Sequence, residues 1–413
     1  MNPALENIKT RGFLQQCTNI EELSQLMDRE AVTFYVGIDP TGASVHIGHM
    51  VPVFAYRHLR EAGHKWIALM GCGTARIGDP SGRTEGRQLL SYGQLDKNAA
   101  SIRSQLDSFL GFDDKTAMTA NNADWLANLN YIDFLREIGS HFSVNRMLSF
   151  EAYKMRMETG LSFIEFNYQL LQSYDFLELY RRYGCRLQIG GDDQWGNIVA
   201  GTDLIRRIER IEAFGLTFPL VTTSDGHKMG KTLKGALFLD PEMVSPYEFF
   251  QYWRNIPDPD VRRFLLMFTF LSIEECEALT AAGKNPNEGK ERLAWEVTAL
   301  IHGRDEADKA KSGARAAFGG GGDRDAMPRV ELERAKFEAG YNVVDLFCDA
   351  GLVPSKSEGR RLAQQGGAFV SAADGSLEAV SDPAGLILST RLDKNNELLL
   401  RAGKKRYCLV KIG

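Results

Sequence analysis

Two short runs carry side chains suited to a nucleotide's phosphates. The first is His46-Ile47-Gly48-His49. It follows an apolar stretch, Ala31 to Ile38, that reads as a buried strand broken by Asp39-Pro40-Thr41-Gly42. Beyond it Met50, Phe54 and Leu59 recur at helical spacing. Two imidazoles therefore stand where a helix begins, and a helix entrance offers unpaired N–H groups and a favourable dipole to an anion. Gly48 lets a flat base approach the backbone. Surface or capping histidines are the plain alternative for this run. The second run is Asp225-Gly226-His227-Lys228-Met229-Gly230-Lys231-Thr232. Its two lysines and a hydroxyl around a glycine read as a clamp for polyphosphate or as a solvated hairpin.

These groups need a scaffold. A second strand, Lys65–Met70, runs into Gly71-Cys72-Gly73-Thr74-Ala75-Arg76-Ile77-Gly78-Asp79-Pro80-Ser81-Gly82-Arg83. No Gly-Lys-Ser/Thr follows these glycines, so this is not a phosphate-binding P-loop. Neighbouring strand–helix crossovers imply a doubly wound parallel sheet. Ligands bind beyond the carboxyl ends of such strands, which brings Tyr35, Asp79 and both histidines towards one crevice. Residues 85–160 read mostly as helices, an insertion between the halves of the sheet: Gln94–Leu110, Ala123–Leu126, Tyr131–Ile138 and Phe150–Met157. Within it Phe142–Leu148 is assigned to core, with a subunit contact as the alternative.

In Phe163–Phe176, helical spacing aligns Tyr168, Gln172 and Asp175 on one face. That polar stripe either lines a pocket or meets solvent. Strand Arg186–Ile189 ends in Gly190-Gly191-Asp192-Asp193-Gln194-Trp195-Gly196-Asn197 and enters helix Ile198–Ile211. This run is a turn with an Asp cap or a ligand-binding strand end. Leu220-Val221 closes another strand.

From Pro246 to Phe318 the pattern is helical, and Gly319–Gly322 form a flexible hinge. Residues 341–413 suggest a small module of two helices followed by strands at Ala368–Val370, Glu397–Leu400 and Tyr407–Lys411. Lys356, Arg360, Arg361, Lys404, Lys405 and Arg406 form basic clusters there, either a solvated surface or a grip on a phosphate backbone. The module carries 10 Lys and Arg against 8 Asp and Glu, whereas the whole chain of 413 residues has net charge −5. No global basic field draws the protein to nucleic acid. Hydrophobic content of 44% and charged content of 25% describe a globular protein able to bury a large core. The six cysteines are scattered without a Cys-x-x-Cys pair, which disfavours a zinc cluster or disulfide framework and fits a reducing cytoplasm. No secretory signal or membrane-length apolar run is evident. The N-terminal residues read as short amphipathic helices.

His-Ile-Gly-His after a strand, with Lys-Met-Gly-Lys-Thr far downstream, resembles the paired signatures of class I aminoacyl-tRNA synthetases. The second departs from the common Lys-Met-Ser-Lys-Ser form at Gly230 and Thr232. Tyr35, the stripe Tyr168/Gln172/Asp175, the run Gly190–Asn197 and Ile77–Gly82 narrow the resemblance to the bacterial tyrosyl-tRNA synthetases. Asp192 stands where that family more often has Ser.

The resemblance covers essentially the whole chain. It implies a Rossmann-like α/β catalytic domain over 1–222, with the helical insertion at about 85–160. An all-helical tRNA-contacting domain with the lysine loop would follow at 223–318, then a Gly-rich linker at 319–340. Residues 341–413 would form an α+β RNA-binding domain of the S-four type. Tyr35 and Asp175 would meet the substrate phenol. Tyr168, Gln172 and Asp79 would hold its α-ammonium, and Gln194, Gln188 and Asn122 would complete the pocket. For ATP the resemblance implies Gly37, Asp39, Gly48, Gly191 and Asp193, with Leu220 and Val221 packing on adenine. Thr41 and His46 would bind the γ-phosphate region in the transition state, and His49 would support the ribose side. Lys228, Lys231 and Thr232 would swing onto the leaving pyrophosphate, and Arg83 and Arg87 would close from the other side. It further implies ATP with Mg²⁺ but no protein-held metal, L-tyrosine and tRNA(Tyr) as substrates, a homodimer touching near Phe142–Leu148, a cytoplasmic location and no membrane or DNA partner. The rival readings are a tryptophanyl-type synthetase and a His-x-Gly-His nucleotidyl transferase acting on a small metabolite.

Overall fold

A computed structural model describes residues 1–81, 90–226, 229–232, 235–317, 327–403 and 406–412. It divides into two units, Met1–Val244 with Ile256–Gly289, and Ser245–Asn255 with Lys290–Gly413.

The first unit is built on a six-stranded sheet of β1 (Gln16–Cys17), β2 (Thr33–Ile38), β3 (Lys65–Met70), β4 (Ala117–Asn121), β5 (Cys185–Gly191) and β6 (Phe214–Phe218). Their spatial order is β1-β6-β5-β2-β3-β4. All neighbours are parallel except the β1–β6 pair. β2, β3 and β6 are almost continuously buried, as expected of a parallel sheet covered by helices on both faces. The chain runs outward from β2 to β4 and then returns to β5, on the other side of β2. The strand order therefore reverses between β2 and β5, and the crevice at their carboxyl ends is where such sheets bind ligands. Tyr35, Ile67, Leu69, Trp125, Phe176 and Leu177 belong to one buried cluster.

Three local outcomes differ from the sequence expectation. β4 lies inside the stretch expected to be a helical insertion, in register with β3 (Met70 opposite Asn121). Its sequence, Ala-Met-Thr-Ala-Asn, has too few large apolar residues to announce a strand, and pairing with β3 decides it. β1 is an antiparallel edge strand between the two N-terminal helices, Pro3–Thr10 and Ile20–Arg29. β6 ends at Phe218, short of Leu220 and Val221, because Pro219 removes the next ladder donor.

In the second unit, helices Pro246–Arg254 and Arg304–Ala317 are accompanied by a five-stranded sheet. The sheet order is Leu377–Ala379, Ala368–Ser371, Glu397–Ala402, Arg406–Ile412 and Arg329–Leu332. Helices Val343–Asp349 and Lys356–Gln364 share its core through Leu346, Phe347 and Ala363, which cluster with Val370, Leu398, Leu400 and Val410. Arg329–Leu332 pairs in parallel with Arg406–Ile412, although it falls in the segment expected to be linker. Val330 and Leu332 alternate onto the core while charged neighbours mask the signal. Among the described residues no helix is long and apolar enough to cross a membrane.

Candidate active site

Four strand ends supply the crevice. Asp39 follows β2, Gly71 follows β3, Asn122 follows β4, and Gly191 ends β5, with Asp192 just beyond it. The remaining wall is the helix Phe163–Tyr183. A capping box between Ser162 and Glu165 starts it, and Gly184, with φ +65°, stops it. That fixed register decides which residues of its polar stripe reach which partners.

The stripe serves two hydrogen-bond networks. Asp175 is 2% exposed. It accepts from Asn122 Nδ2 at 2.9 Å and from Trp125 Nε1 at 2.8 Å. Asn122 is fully buried and also donates to Thr74 Oγ1, while its own oxygen accepts from the Gly73 N–H. Thr74 passes the chain on to Asp39 Oδ1 at 2.8 Å, and the Tyr168 hydroxyl donates to Asp39 Oδ2 at 2.9 Å. A Cβ at Gly71 would stand 2.1 Å from Asp39 Oδ1, so only glycine admits the carboxylate here. Burial pushes the Asp175 carboxyl up to about 8 against the two donated hydrogen bonds, and the carboxylates of Asp39 and Glu178 add to it. The Tyr35 hydroxyl is buried on β2 with no hydrogen-bond partner among the described residues. Burial first, and then the Asp175 charge, hold its phenol well above the usual range.

The second network gathers Asp79, Gln194 and Gln172. Gln194 Nε2 donates to Asp79 Oδ2 at 2.8 Å, and Gln172 Nε2 donates to Gln194 Oε1 at 3.2 Å. Asn197 donates to Gln172 Oε1 and to Ser81 Oγ, and the Ser81 N–H closes on Asp79 Oδ1. Gln188 is buried on β5, and its Oε1 has no hydrogen-bond partner among the described residues. Gln172 and Asp79 thus share one network through Gln194, and Tyr168 bonds Asp39 in the other. Trp125, Thr74, Ser81 and Asn197 were not singled out from sequence. An indole or hydroxyl carries no periodicity that marks it as a partner of a distant carboxylate.

His46 caps the three-residue turn Ile47–His49. Its Nδ1 accepts from the Gly48 N–H at 3.1 Å, and His49 Nδ1 accepts from the His46 N–H at 3.2 Å. The rings stack with centroids 3.9 Å apart. With both Nδ1 atoms accepting, each neutral ring carries its proton on Nε2, as a donor. Burial lowers the His46 pKa, which keeps that ring neutral. On either side of His46, Ile47 N–H donates to Leu237 O and Leu239 N–H donates to Val45 O. Gly230 has φ +78°, and a Cβ there would lie 2.1 Å from Ile47 Cγ2. The first run is therefore in backbone register with Leu237–Leu239, just beyond the second, and Gly230 of the second packs on Ile47 of the first.

Gly37, Thr41 and Gly48 are exposed, and Asp193 is half-buried in the turn after β5. Leu220 is 56% exposed. Arg83, Arg87 and Lys228 lie outside the described residues, as do the side chains of Lys231 and Thr232. Among the described residues no group of three His, Cys, Asp or Glu side chains stands ready to hold a metal.

The family model for class I tRNA synthetases (W and Y) matches residues 27–319. The tyrosine–tRNA ligase of Treponema denticola is 62% identical over 98% of both chains, and that of Treponema pallidum is 59% identical over 98% of both. Among solved structures, a C-terminally truncated mitochondrial tyrosyl-tRNA synthetase from Aspergillus nidulans aligns with TM-score 0.68 at 31% identity, over 76% of this chain and 93% of that one. A tyrosyl-tRNA synthetase from Archaeoglobus fulgidus, solved with L-tyrosine, shares the fold with TM-score 0.58 at 18% identity, over 74% of this chain and 99% of that one. On this coverage and identity, the chain belongs to the class I tRNA synthetases and, within them, to the bacterial tyrosine–tRNA ligases.

Proposed function

We propose that the protein activates L-tyrosine with ATP and transfers it to the terminal ribose of tRNA(Tyr). The observation that carries this reading is the buried Asp175, fixed by Asn122 and Trp125, sharing its pocket with the Tyr35 hydroxyl. Such a carboxylate suits the hydroxyl of a phenol. Asp79, held by Gln194, presents negative charge for the substrate ammonium. The tyrosine carboxylate attacks the α-phosphate and pyrophosphate leaves. The nucleophile needs no base, so the protein's work is positioning and charge stabilisation. His46 donates from Nε2 towards the phosphates, and His49 supports the ribose side. Thr41 assists, and Arg83, Arg87, Lys228, Lys231 and Thr232 act on the departing pyrophosphate. Asp39, Asp193, Gly37, Gly48 and Gly191 border the space for the nucleoside, and Leu220 and Val221 border its base. Mg²⁺ enters with ATP. The tRNA hydroxyl then attacks the acyl carbon of the adenylate, and AMP leaves.

Tyrosine-dependent exchange of labelled pyrophosphate into ATP tests the first half-reaction. Absence of exchange, or exchange driven by tryptophan instead, would overturn the reading. Gly230→Ala is expected to lower the exchange rate about 10- to 100-fold, because the positive φ and the overlap with Ile47 together cost about 1–3 kcal/mol. A rate within twofold of wild type would show that the close approach is not needed.

The basic module supports tRNA binding, with Lys356 and Arg360 exposed on the helix Lys356–Gln364. Removing residues 323–413 should preserve pyrophosphate exchange and reduce tRNA charging by at least tenfold, the order expected from losing several phosphate contacts. Charging at the full rate would exclude this role. Tyr131, Ile132, Val144, Phe163 and Ile164 expose large apolar surface, which supports a homodimer near Phe142–Leu148. Sedimentation as a monomer at micromolar concentration would refute that. A cytoplasmic location is consistent with six free cysteines.

A further inference from the structure

Asp192 begins the three-residue turn that carries Asp193 and Gln194. One of its oxygens, Oδ1, accepts from two side chains at once. Thr217 Oγ1 on β6 lies at 2.9 Å and Gln16 Nε2 on β1 at 2.7 Å. Gln16 and Thr217 are themselves paired across the β1–β6 edge. The carboxylate thus ties the start of the turn to two successive strands, reaching the outermost strand of the sheet. Two residues later Gln194 makes its bonds to Asp79 and Gln172. The turn folds tightly over the strand end, since a Cβ at Gly190 would stand 3.1 Å from Gln194 Cβ.

We infer that Asp192 is a positioning residue for substrate binding, setting Asp193 and Gln194 against the sheet by anchoring their turn to Thr217 and Gln16. The N-terminal edge strand thereby becomes part of the binding site without touching substrate. The place calls for an acceptor oxygen because a single carbonyl-type oxygen, with two lone pairs, can accept both neutral donors. The inference rests on reading Gln194 and Asp79 as the ammonium site.

Steady-state pyrophosphate exchange tests it. Asp192→Ala should raise KM for tyrosine about five- to tenfold, the effect of losing one well-placed hydrogen-bonded anchor, with kcat changed less than twofold. Asp192→Asn keeps an acceptor oxygen and should restore KM to within twofold of wild type. Gln16→Ala should raise KM in the same sense, and combining it with Asp192→Ala should add little, because the Gln16 contact is already lost in Asp192→Ala. If Asp192→Ala fails to fold, Thr217→Val and Gln16→Ala carry the same test. An unchanged KM in these variants, a simple sum of the two effects or failure of Asn to rescue would overturn the inference. Lack of tyrosine-dependent exchange by the wild-type protein would instead overturn the proposed function.

Discussion

Replacing His46 with alanine should slow tyrosyl-adenylate formation by about 100- to 1000-fold in a single turnover, the usual cost of removing one donor aimed at developing charge. The size follows from how the ring is held. Its Nδ1 is occupied by the Gly48 N–H, its other face is stacked on His49, and burial keeps it neutral. The Nε2–H is thus already oriented and needs no reorganisation as charge accumulates on the phosphates. The Kd for tyrosine should move less than twofold, because His46 is held by Gly48 and His49 whereas Asp175 is held by Asn122 and Trp125. A single-turnover rate within threefold of wild type would remove His46 from the reaction. His49→Ala should slow the same step. It also takes away the acceptor for the His46 N–H, so the double variant should lose less than the product of the single losses.

The second large effect concerns selectivity. Asp175→Ala should reduce the preference for tyrosine over phenylalanine, measured as the ratio of kcat/KM values, by about 10- to 100-fold. With phenylalanine bound, wild type leaves a buried, charge-capable acceptor one hydrogen bond short, a penalty of about 1–3 kcal/mol. The ratio is independent of the fraction of variant that folds, which matters because Asn122 and Trp125 lose their acceptor too. A pH dependence follows. The Asp175 carboxyl, pushed up to about 8 by burial, is mostly protonated at neutral pH in the empty pocket. It gains acceptor strength as pH rises through that value. The Kd for tyrosine should therefore fall about tenfold between about pH 7 and pH 9, as the competent fraction grows. Phenylalanine has no phenol to offer and shares only the ammonium titration, so its Kd serves as the control. A pH-independent ratio of the two Kd values would exclude an ionised Asp175 as the phenol acceptor.

The sequence by itself determined the parallel α/β class, the strand–turn–helix around His46, the helix bearing Tyr168, Gln172 and Asp175, and the strand-end run around Gln194. Each is written locally: apolar runs mark buried strands, helical spacing fixes a face, and Pro and Gly mark strand ends. The partners of those residues are not local. Trp125 and Asn122 meet Asp175 because β4, which has almost no apolar signature, pairs with β3 and delivers them to the crevice. Tyr168 meets Asp39, 129 residues earlier in the chain, and Gly71 leaves room for that carboxylate. Gly230 meets Ile47, and Asp192 meets Gln16, across more than 170 residues of chain. Tertiary structure alone decided those pairings, because hydrogen bonds and close contacts depend on distance in space, whereas propensity and periodicity sense only neighbours along the chain.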